Sequence, residues 1–443
     1  MTVRARRSRV VPVVVGALGA ILAPCTPAAA QDAGDEKYMR VREASAEGPV
    51  RLELSIRTLE PSEDGLPTVH LVGVAHIAQP AYYRALQSFL DKQDLVLYEG
   101  VGPDWMNVPE NASDERRAAA TRGRIRFVGA AAERHRRAMG AYPPSAEALL
   151  ATAEPYERRQ IADALTDAWE TPLVYALSER EGGALEIVSL GADARPGGEG
   201  AGADITLQQI GEIGGETLSS SEGIQSQLAD ATGLVFQLDS IDYMRDSWIN
   251  ADMTIDQLLG VTPGEGGEVG GGFETGDQGA DSMLGLLSGE SMMAKLMGGV
   301  LKLIGSSEYS RAIFRLALIE MLGRSEELME LAAPQLGGDF FDRVINGRNR
   351  VVIEALREAS RGEDRPRSIA VFYGSGHMPG IESTLIEEDG YRVSETTWLP
   401  AIVVDYDSSG IPARQGAFFR SMIAGSIERQ VRMMKRMEEP GGG

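Results

Sequence analysis

The sequence predicts an α/β fold whose mixed or mostly parallel sheet comes from N- and C-terminal segments, with a large helical insertion between them. Three apolar runs of strand length lead to this prediction: residues 69–76, 94–99 and 369–377. Such runs are typical of strands buried on both faces of a parallel sheet. The runs end on His76, Glu99 and His377, and sites in open α/β sheets form beyond the carboxyl ends of strands. We therefore expect these three side chains to meet at one edge of the sheet.

The first thirty residues have the pattern of a secretory signal peptide. Four arginines before Val10 are followed by a short apolar stretch to Leu22 and by three alanines, residues 28–30, as a cleavage site. This pattern predicts an exported protein, periplasmic or extracellular, with no transmembrane span in the mature chain. A retained membrane anchor is the alternative. A lipoprotein anchored through Cys25, the only cysteine, is a further one.

The composition is that of a soluble protein, with 43% hydrophobic and 24% charged residues. The formal net charge of −22 disfavours a nucleic-acid partner, because an acidic surface repels phosphate backbones. A chain of 443 residues has room for one domain with a long insertion. We expect a signal peptide at 1–30, a flexible lead-in at 31–49, a discontinuous α/β catalytic core at 50–110 and 336–443, and a helical insertion at 111–335.

Both parts of the expected core contain further elements. Residues 51–59 alternate between polar and apolar types, which predicts a strand with one solvent-exposed face. A helix over 80–92 separates the first two buried strands and gives a β-α-β unit. Residues 391–399 and 401–406 predict closing strands, and 418–437 predict a basic amphipathic helix.

The expected insertion is rich in alanine, arginine and glutamate, and residues 115–139 and 144–177 predict helices. Two Gly-rich segments, 191–202 and 260–279, predict loops, and the second is expected to act as a mobile flap that gates the site. Residues 283–304 predict a helix whose methionines and leucines favour packing over a membrane-surface role.

Two of the four histidines occur in the same G-x-x-H pattern. Gly73 precedes His76 and Gly374 precedes His377, and glycine after a strand lets the backbone turn and approach a ligand. Glu99 ends the next strand, one helix further along the chain. We therefore predict that Glu99 lies on the strand adjacent to His76, at the same edge of the sheet.

Two histidines and a glutamate are a known ligand set for a catalytic divalent ion that keeps a position open for water. Such an ion makes its water acidic enough to supply hydroxide near neutral pH. No H-E-x-x-H, G-x-S-x-G or phosphate-binding loop occurs in the sequence, so those enzyme classes are not indicated. The alternative is structural, with hydrogen-bonded histidines at strand ends and Glu99 capping a helix or pairing with an arginine.

The motifs together resemble the TraB/GumN/PrgY family, whose relatives include the Tiki metalloproteases and, more distantly, erythromycin esterase. The resemblance rests on G-V-A-H ending at His76, Y-E ending at Glu99, G-R-N-R containing Arg348, and Y-G-S-G-H-M-P-G around His377. It implies that His76, Glu99 and His377 are active-site residues of an α/β core. It also implies that Arg348 steadies Glu99 or a substrate carboxylate. Val74 departs from the family pattern, in which threonine is common at this position.

The resemblance implies an exported metal-dependent hydrolase, a peptidase with a divalent Mn, Co or Zn ion. His76 and His377 would hold the metal, and Glu99 would be a third ligand or the general base, with Asp252 as a further candidate base. Two alternatives stay open: a metal-free esterase-type hydrolase, and a non-enzymatic extracytoplasmic protein that sequesters a peptide signal. The expected partner is a peptide or small-molecule substrate.

Overall fold

The computed structural model describes residues 38–211 except 44, 46, 107, 110 and 179–182, together with 232–259, 307–324 and 342–438. The predicted signal peptide, the first residues of the predicted lead-in, the Gly-rich segment 260–279 and the methionine-rich segment 283–304 lie outside the described residues.

The strands of the described residues are β1 Met39–Glu43, β2 Val50–Pro61, β3 Thr68–Val74, β4 Ile77–Ala78, β5 Leu95–Tyr98, β6 Val174–Ser178, β7 Ala184–Ser189, β8 Ile205–Thr206, β9 Val235–Phe236, β10 Trp248–Asn250, β11 Ser368–Gly374 and β12 Tyr391–Val404. The helices are α1 Pro80–Leu90, α2 Asp114–Met139, α3 Ala146–Thr152, α4 Pro155–Ala164, α5 Leu207–Ile210, α6 Gln237–Ser240, α7 Ile255–Leu259, α8 Glu308–Leu322, α9 Arg348–Ala359, α10 Met378–Glu387, α11 Tyr406–Ser409 and α12 Ala413–Glu438. Among these residues, no helix combines the length and the apolar character that crossing a membrane requires.

The main sheet is mixed, with four parallel strands in the order β3, β11, β5 and β10. Strand β2 runs antiparallel to β3, and it also pairs with β1 and β12. Segments from both ends of the chain therefore build one sheet, which confirms the predicted α/β fold. The predicted adjacency of the first two buried strands is wrong, because β11 from the far end of the chain lies between β3 and β5.

Strand β2 is covered on both faces, which corrects the prediction of one solvent-exposed face for 51–59. Its apolar side chains join a core cluster with α1, α8 and α12. Its polar side chains are buried as well, because they find charged partners on neighbouring elements. Glu53 pairs with Arg40 of β1 at 2.9 Å, and Arg57 pairs with Glu382 of α10 at 2.7 Å.

Residues 114–207 form a second packing unit, in which helices contact the antiparallel sheet β6-β7-β8. This unit has its own apolar cluster, and the residues at its centre are Ile125, Val128, Leu149, Ile161, Ile187 and Ile205. The helix predicted over 144–177 is therefore interrupted, since Val174–Ser178 is strand β6. The Gly-rich segment 191–202 connects β7 to β8, and Gly191, Gly197 and Gly198 adopt positive φ there.

Candidate functional site at the carboxyl ends of the parallel strands

A polar side chain follows each of the four parallel strands. His76 follows β3, His377 follows β11, Glu99 follows β5 and Asp252 follows β10. Three of these side chains surround Gly374. A Cβ placed on Gly374 would lie 3.2 Å from Glu99 Oε2, 3.6 Å from His76 Nε2 and 3.7 Å from His377 Cδ2. The structure therefore brings together the three residues that the sequence motifs single out, whereas their role stays a prediction.

Arg348 joins two of these carboxylates. Its NH2 group donates to Glu99 Oε1 at 2.5 Å and to Asp252 Oδ2 at 2.6 Å, while its Nε donates to Asp252 Oδ1 at 2.8 Å. The side chains are 9%, 11% and 0% exposed for Arg348, Glu99 and Asp252. The π-helical turn Arg343–Gly347 directly precedes Arg348 at the start of α9. One guanidinium thus pairs with two carboxylates, and these three side chains together have a formal net charge of −1.

Both oxygens of Glu99 have protein donors. Oε1 accepts from Arg348, and Oε2 accepts from the backbone N–H of Gly374 at 2.5 Å. Burial raises the pKa of Glu99, but the charge of Arg348 and the Gly374 hydrogen bond act against burial and hold that pKa well below its usual range. Glu99 is therefore a fixed carboxylate near neutral pH, whereas an efficient general base has a pKa near the working pH.

Amide side chains orient the two imidazole rings. His377 Nδ1 lies 2.7 Å from Asn349 Oδ1, and His76 Nδ1 lies 2.9 Å from Gln237 Oε1. The amide nitrogen of Gln237 contacts the hydroxyl of Tyr243 at 3.2 Å, which leaves its oxygen as the acceptor toward His76. From these contacts we assign the hydrogen of each neutral ring to Nδ1, so that Nε2 is the acceptor.

The two histidines differ in their surroundings. His377 is 1% exposed, and its Nε2 lies 3.4 Å from Arg348 NH1 and 3.9 Å from Glu99 Oε1. Burial lowers the pKa of His377 to about 3, and Arg348 acts in the same direction against the opposing effect of Glu99. This ring is therefore neutral near physiological pH. His76 is exposed and forms the solvent-facing side of the cluster.

Three further residues contribute to the site in ways that we did not predict from the sequence. Asp252, which we expected as a possible base, is a buried partner of Arg348. Asn349 directly follows Arg348 in the sequence, so the G-R-N-R motif held a local indication of its role. Gln237 offered no such indication, because it reaches His76 only through the short pairing of β4 with β9.

The predicted Mn, Co or Zn ion would meet ligand atoms that already have partners in this arrangement. Both oxygens of Glu99 accept from protein donors, and Arg348 NH1 lies 3.4 Å from His377 Nε2, so an ion would have to compete with these contacts. In the described part of the chain, no group of three or more His, Cys, Asp or Glu side chains could hold a metal ion. The metal-binding class inferred from the motifs is corrected accordingly. An ion stays a prediction only for a state in which Arg348 has moved away from Glu99.

The fold and the site together define an α/β protein with a cluster of charged side chains and histidines at the carboxyl edge of its main sheet. Amide side chains orient the histidine rings of this cluster. Residues 109–208 match the family model of protein G of the type II secretion system (T2SS). The match coincides with the second packing unit, in which α2 packs on the sheet β6-β7-β8. Comparisons with curated proteins and with solved structures gave no match.

The match contradicts the resemblance to the TraB/GumN/PrgY family and the metal-dependent peptidase activity inferred from it. The esterase-type and peptide-signal alternatives rested on the same reasoning and are withdrawn. The motif resemblance misled because it compares far fewer residues than the family match does. Two four-residue motifs arise easily in a chain with 52 glycines, whereas the family match extends over a whole packing unit. The similarity indicates an exported or envelope-associated protein, in agreement with the predicted export.

Proposed function

We propose that this chain serves a type II secretion system as an exported or envelope-associated component, and that residues 109–208 are the unit that joins the machinery. The observation that carries the proposal is the coincidence of the matched residues with a unit that has its own hydrophobic core. A segment with its own hydrophobic core can fold as a unit, so it presents the same surface when it is part of a larger chain. The main sheet and its polar cluster are then a second part with a separate task.

The unit is well delimited at its first helix. Ser113 caps α2 by accepting from the backbone N–H of Arg116 at 3.3 Å, and Gly140 ends the helix in the left-handed conformation. One side of α2 packs on the unit's own core, whereas Arg122 and Arg126 are exposed. We propose this exposed arginine-bearing side of α2 as the surface that contacts the secretion machinery.

Helix α4 attaches the unit to the main sheet. The Arg159 guanidinium donates to the carbonyl of Arg245 at 3.0 Å, and the ring of Tyr156 packs edge-on against Tyr243 at 5.2 Å between centroids. Tyr243 also contacts Gln237, which holds His76. A short series of packed side chains thus connects the unit with the polar cluster. A partner that binds the unit could act on the cluster through these contacts.

Export places the protein in the periplasm or outside the cell, which is the finer localisation that we propose. Residues 1–30 would be removed, unless Cys25 carries a lipid anchor. Mass spectrometry of the protein purified from its own host separates the two cases. A mature N-terminus at Gln31 supports simple export, and a lipidated Cys25 supports anchoring.

Loss of the protein is expected to reduce type II secretion in its own host. We expect a deletion strain to retain substrates of the system inside the cell, and wild-type complementation to restore them to the medium. A variant with Ile125→Ala and Ile187→Ala should fail to restore secretion, because each truncation in the unit's core costs about 2–5 kcal/mol. The measurement is the ratio of extracellular to cell-associated substrate.

The control for this complementation experiment is the variant with Val352→Ala and Ile381→Ala, which truncates two side chains in the core of the main sheet instead.

If the unit contacts the machinery, a photocrosslinker at Arg126 forms adducts with a component of the secretion system, whereas one at the exposed Arg392 does not. Unchanged secretion in the deletion strain contradicts the proposed function, as does equal crosslinking at the two positions.

A specific observation favours a second role for the main sheet, namely binding of a small cationic ligand that donates hydrogen bonds. Glu99, Asp252 and Arg348 together have a formal net charge of −1, and both the Nε2 atom of the solvent-facing His76 and Oε2 of Glu99 approach Gly374. A protonated primary amine offers both a positive charge and three donors. We propose His76, Glu99, Arg348 and His377 as the residues of this binding site, with Arg348 and His377 as its buried support.

Binding of a primary amine is expected to depend on His76. We expect isothermal titration with propylamine to give binding heat for the wild type and none for His76→Ala, because the exposed acceptor is lost. The matched control is His70→Ala, which removes the histidine of β3 that contacts Thr58 instead. Titration with Mn, Co and Zn ions tests whether a metal ion binds at this site instead of the amine. Heat with an ion and none with the amine contradicts this second role.

A further inference from the structure

We propose that the outward face of α12 attaches this protein to an anionic phospholipid surface. The sequence predicted a basic amphipathic helix here, and neither the unit at 109–208 nor the polar cluster uses it. This inference goes beyond the proposed role in secretion and does not depend on it.

The inward face of α12 is fixed to the protein. Ile427 and Val431 are buried in the same cluster as the apolar residues of α8. Arg420 bridges two elements, with its Nε at 2.5 Å from Glu320 of α8 and its NH1 at 3.0 Å from Glu43 of β1. The helix is thus held along its length, and its outward face keeps a defined orientation.

The outward face carries large apolar side chains in solvent. Phe418 is 71% exposed, Met422 is 41% exposed and Met433 is 59% exposed. Phe418 and Met422 are four residues apart, so they lie one turn apart on the same side of the helix. Met433 lies about three turns beyond Met422 on that side, because eleven residues are slightly more than three helical turns. Exposed aromatic and apolar side chains in such a row are a feature of helices that lie in a membrane interface.

Arginines flank this apolar row. Arg414, Arg429 and Arg432 are exposed; Arg414 lies four residues before Phe418, and Arg429 lies seven residues, about two turns, after Met422. The acidic neighbour Glu428 lies 3.6 Å from Arg432 and offsets part of this charge. The sequence continues with Lys435 and Arg436.

The charges of α12 indicate which kind of surface its outward face contacts. The whole chain has a formal charge of −22, so most of its surface is repelled by anionic lipids. A basic row with apolar side chains at its centre is therefore the part that approaches them favourably, with arginines at the phosphates and Phe418 below them. No helix of the described residues is suited to span a bilayer, so α12 would lie along the surface.

The experiment is sedimentation of the purified full-length mature protein with vesicles. We expect binding to equimolar phosphatidylcholine and phosphatidylglycerol to exceed binding to phosphatidylcholine alone by about tenfold or more, and to weaken at high salt. The variant with Phe418→Ser and Met422→Ser should lose most of this binding. A variant with Arg429→Gln and Arg432→Gln should bind both vesicle types weakly.

Met139→Ser is the matched control, because Met139 is 70% exposed at the end of α2, on the other packing unit. It should bind anionic vesicles as the wild type does. Circular dichroism confirms that each variant is folded. Equal binding to both vesicle types overturns the proposal, and so does full binding by the Phe418 and Met422 variant. A dimer that this variant dissociates, measured by light scattering, also overturns it, because a second copy then covers the face.

Discussion

Substitution Arg348→Met is expected to lower the free energy of unfolding by about 3–5 kcal/mol, because it leaves two buried carboxylates without their counterion. Arg348 donates to Glu99 and to both oxygens of Asp252, and the Asp252 side chain is fully shielded from solvent. Methionine keeps most of the apolar volume but supplies no donor. Urea denaturation at neutral pH, followed by circular dichroism, measures the change.

Two further variants separate the charge effect from a packing effect. The triple variant Arg348→Met, Glu99→Gln and Asp252→Asn removes the uncompensated charges and should recover part of the loss. The control Arg357→Met lies on the same helix and removes an arginine that pairs with Asp389 and Glu388 near the surface, so it should cost less than about 1 kcal/mol. A similar cost at both arginines, or no recovery in the triple variant, contradicts the role given to Arg348.

The meeting of His76, Glu99 and His377 was predictable because it depends on local patterns. A continuous apolar run identifies a strand buried on both faces, and the residue after it lies at the carboxyl end. Parallel neighbours then bring such residues to the same edge. The order of the strands was not predictable in this way. Strand β11 pairs with both β3 and β5, and pairings between such distant segments leave no local pattern in the sequence.

The same limit applies to the environment of the cluster. Arg348 was expected near Glu99, but its second carboxylate, Asp252, follows a three-residue strand that no apolar run indicated. The antiparallel sheet of the second unit was also missed. Its strand β6 continues directly from a segment rich in helix-forming residues, and its pairing with β7 decides the conformation of Val174–Ser178.

The function prediction failed for a related physical reason. Short motifs describe the ends of strands, where glycine and a polar residue are common in any open α/β sheet. They do not describe which charges surround those ends. Here one guanidinium contacts both Glu99 and His377, and this arrangement favours a fixed charge cluster over a metal-activated water.

Acid is expected to destabilise the protein steeply between about pH 6.5 and pH 3 through His377. In the unfolded chain this ring takes up a proton near its ordinary pKa of 6.5, whereas in the folded protein burial lowers the pKa of His377 to about 3. The unfolded state thus binds one more proton across this range. Stability falls as the pH decreases, by up to about 1.4 kcal/mol per pH unit.

Glu99 extends the effect to lower pH with the same sign. Its pKa in the folded protein lies below the ordinary value of 4.5, since Arg348 and Gly374 outweigh the effect of burial, so the unfolded chain binds a proton first here too. The variant His377→Gln should therefore flatten the profile from about pH 6.5 down to about pH 3, with about 2–3 kcal/mol of the change above pH 4.5. Glu99→Gln should change the profile only below about pH 4.5.

Urea denaturation at a series of pH values gives both profiles, and substitution of the half-buried His135 of α2, His135→Gln, controls for the loss of an imidazole. The two site variants are told apart above about pH 4.5, where His377 takes up a proton in the unfolded chain and Glu99 does not. A wild-type profile that stays flat above pH 4.5 means that His377 is charged in the folded protein. Both ring nitrogens would then carry a hydrogen, with Nδ1 still donating to Asn349 and Nε2 facing Glu99 as a donor, and the assignment of a neutral ring would be wrong.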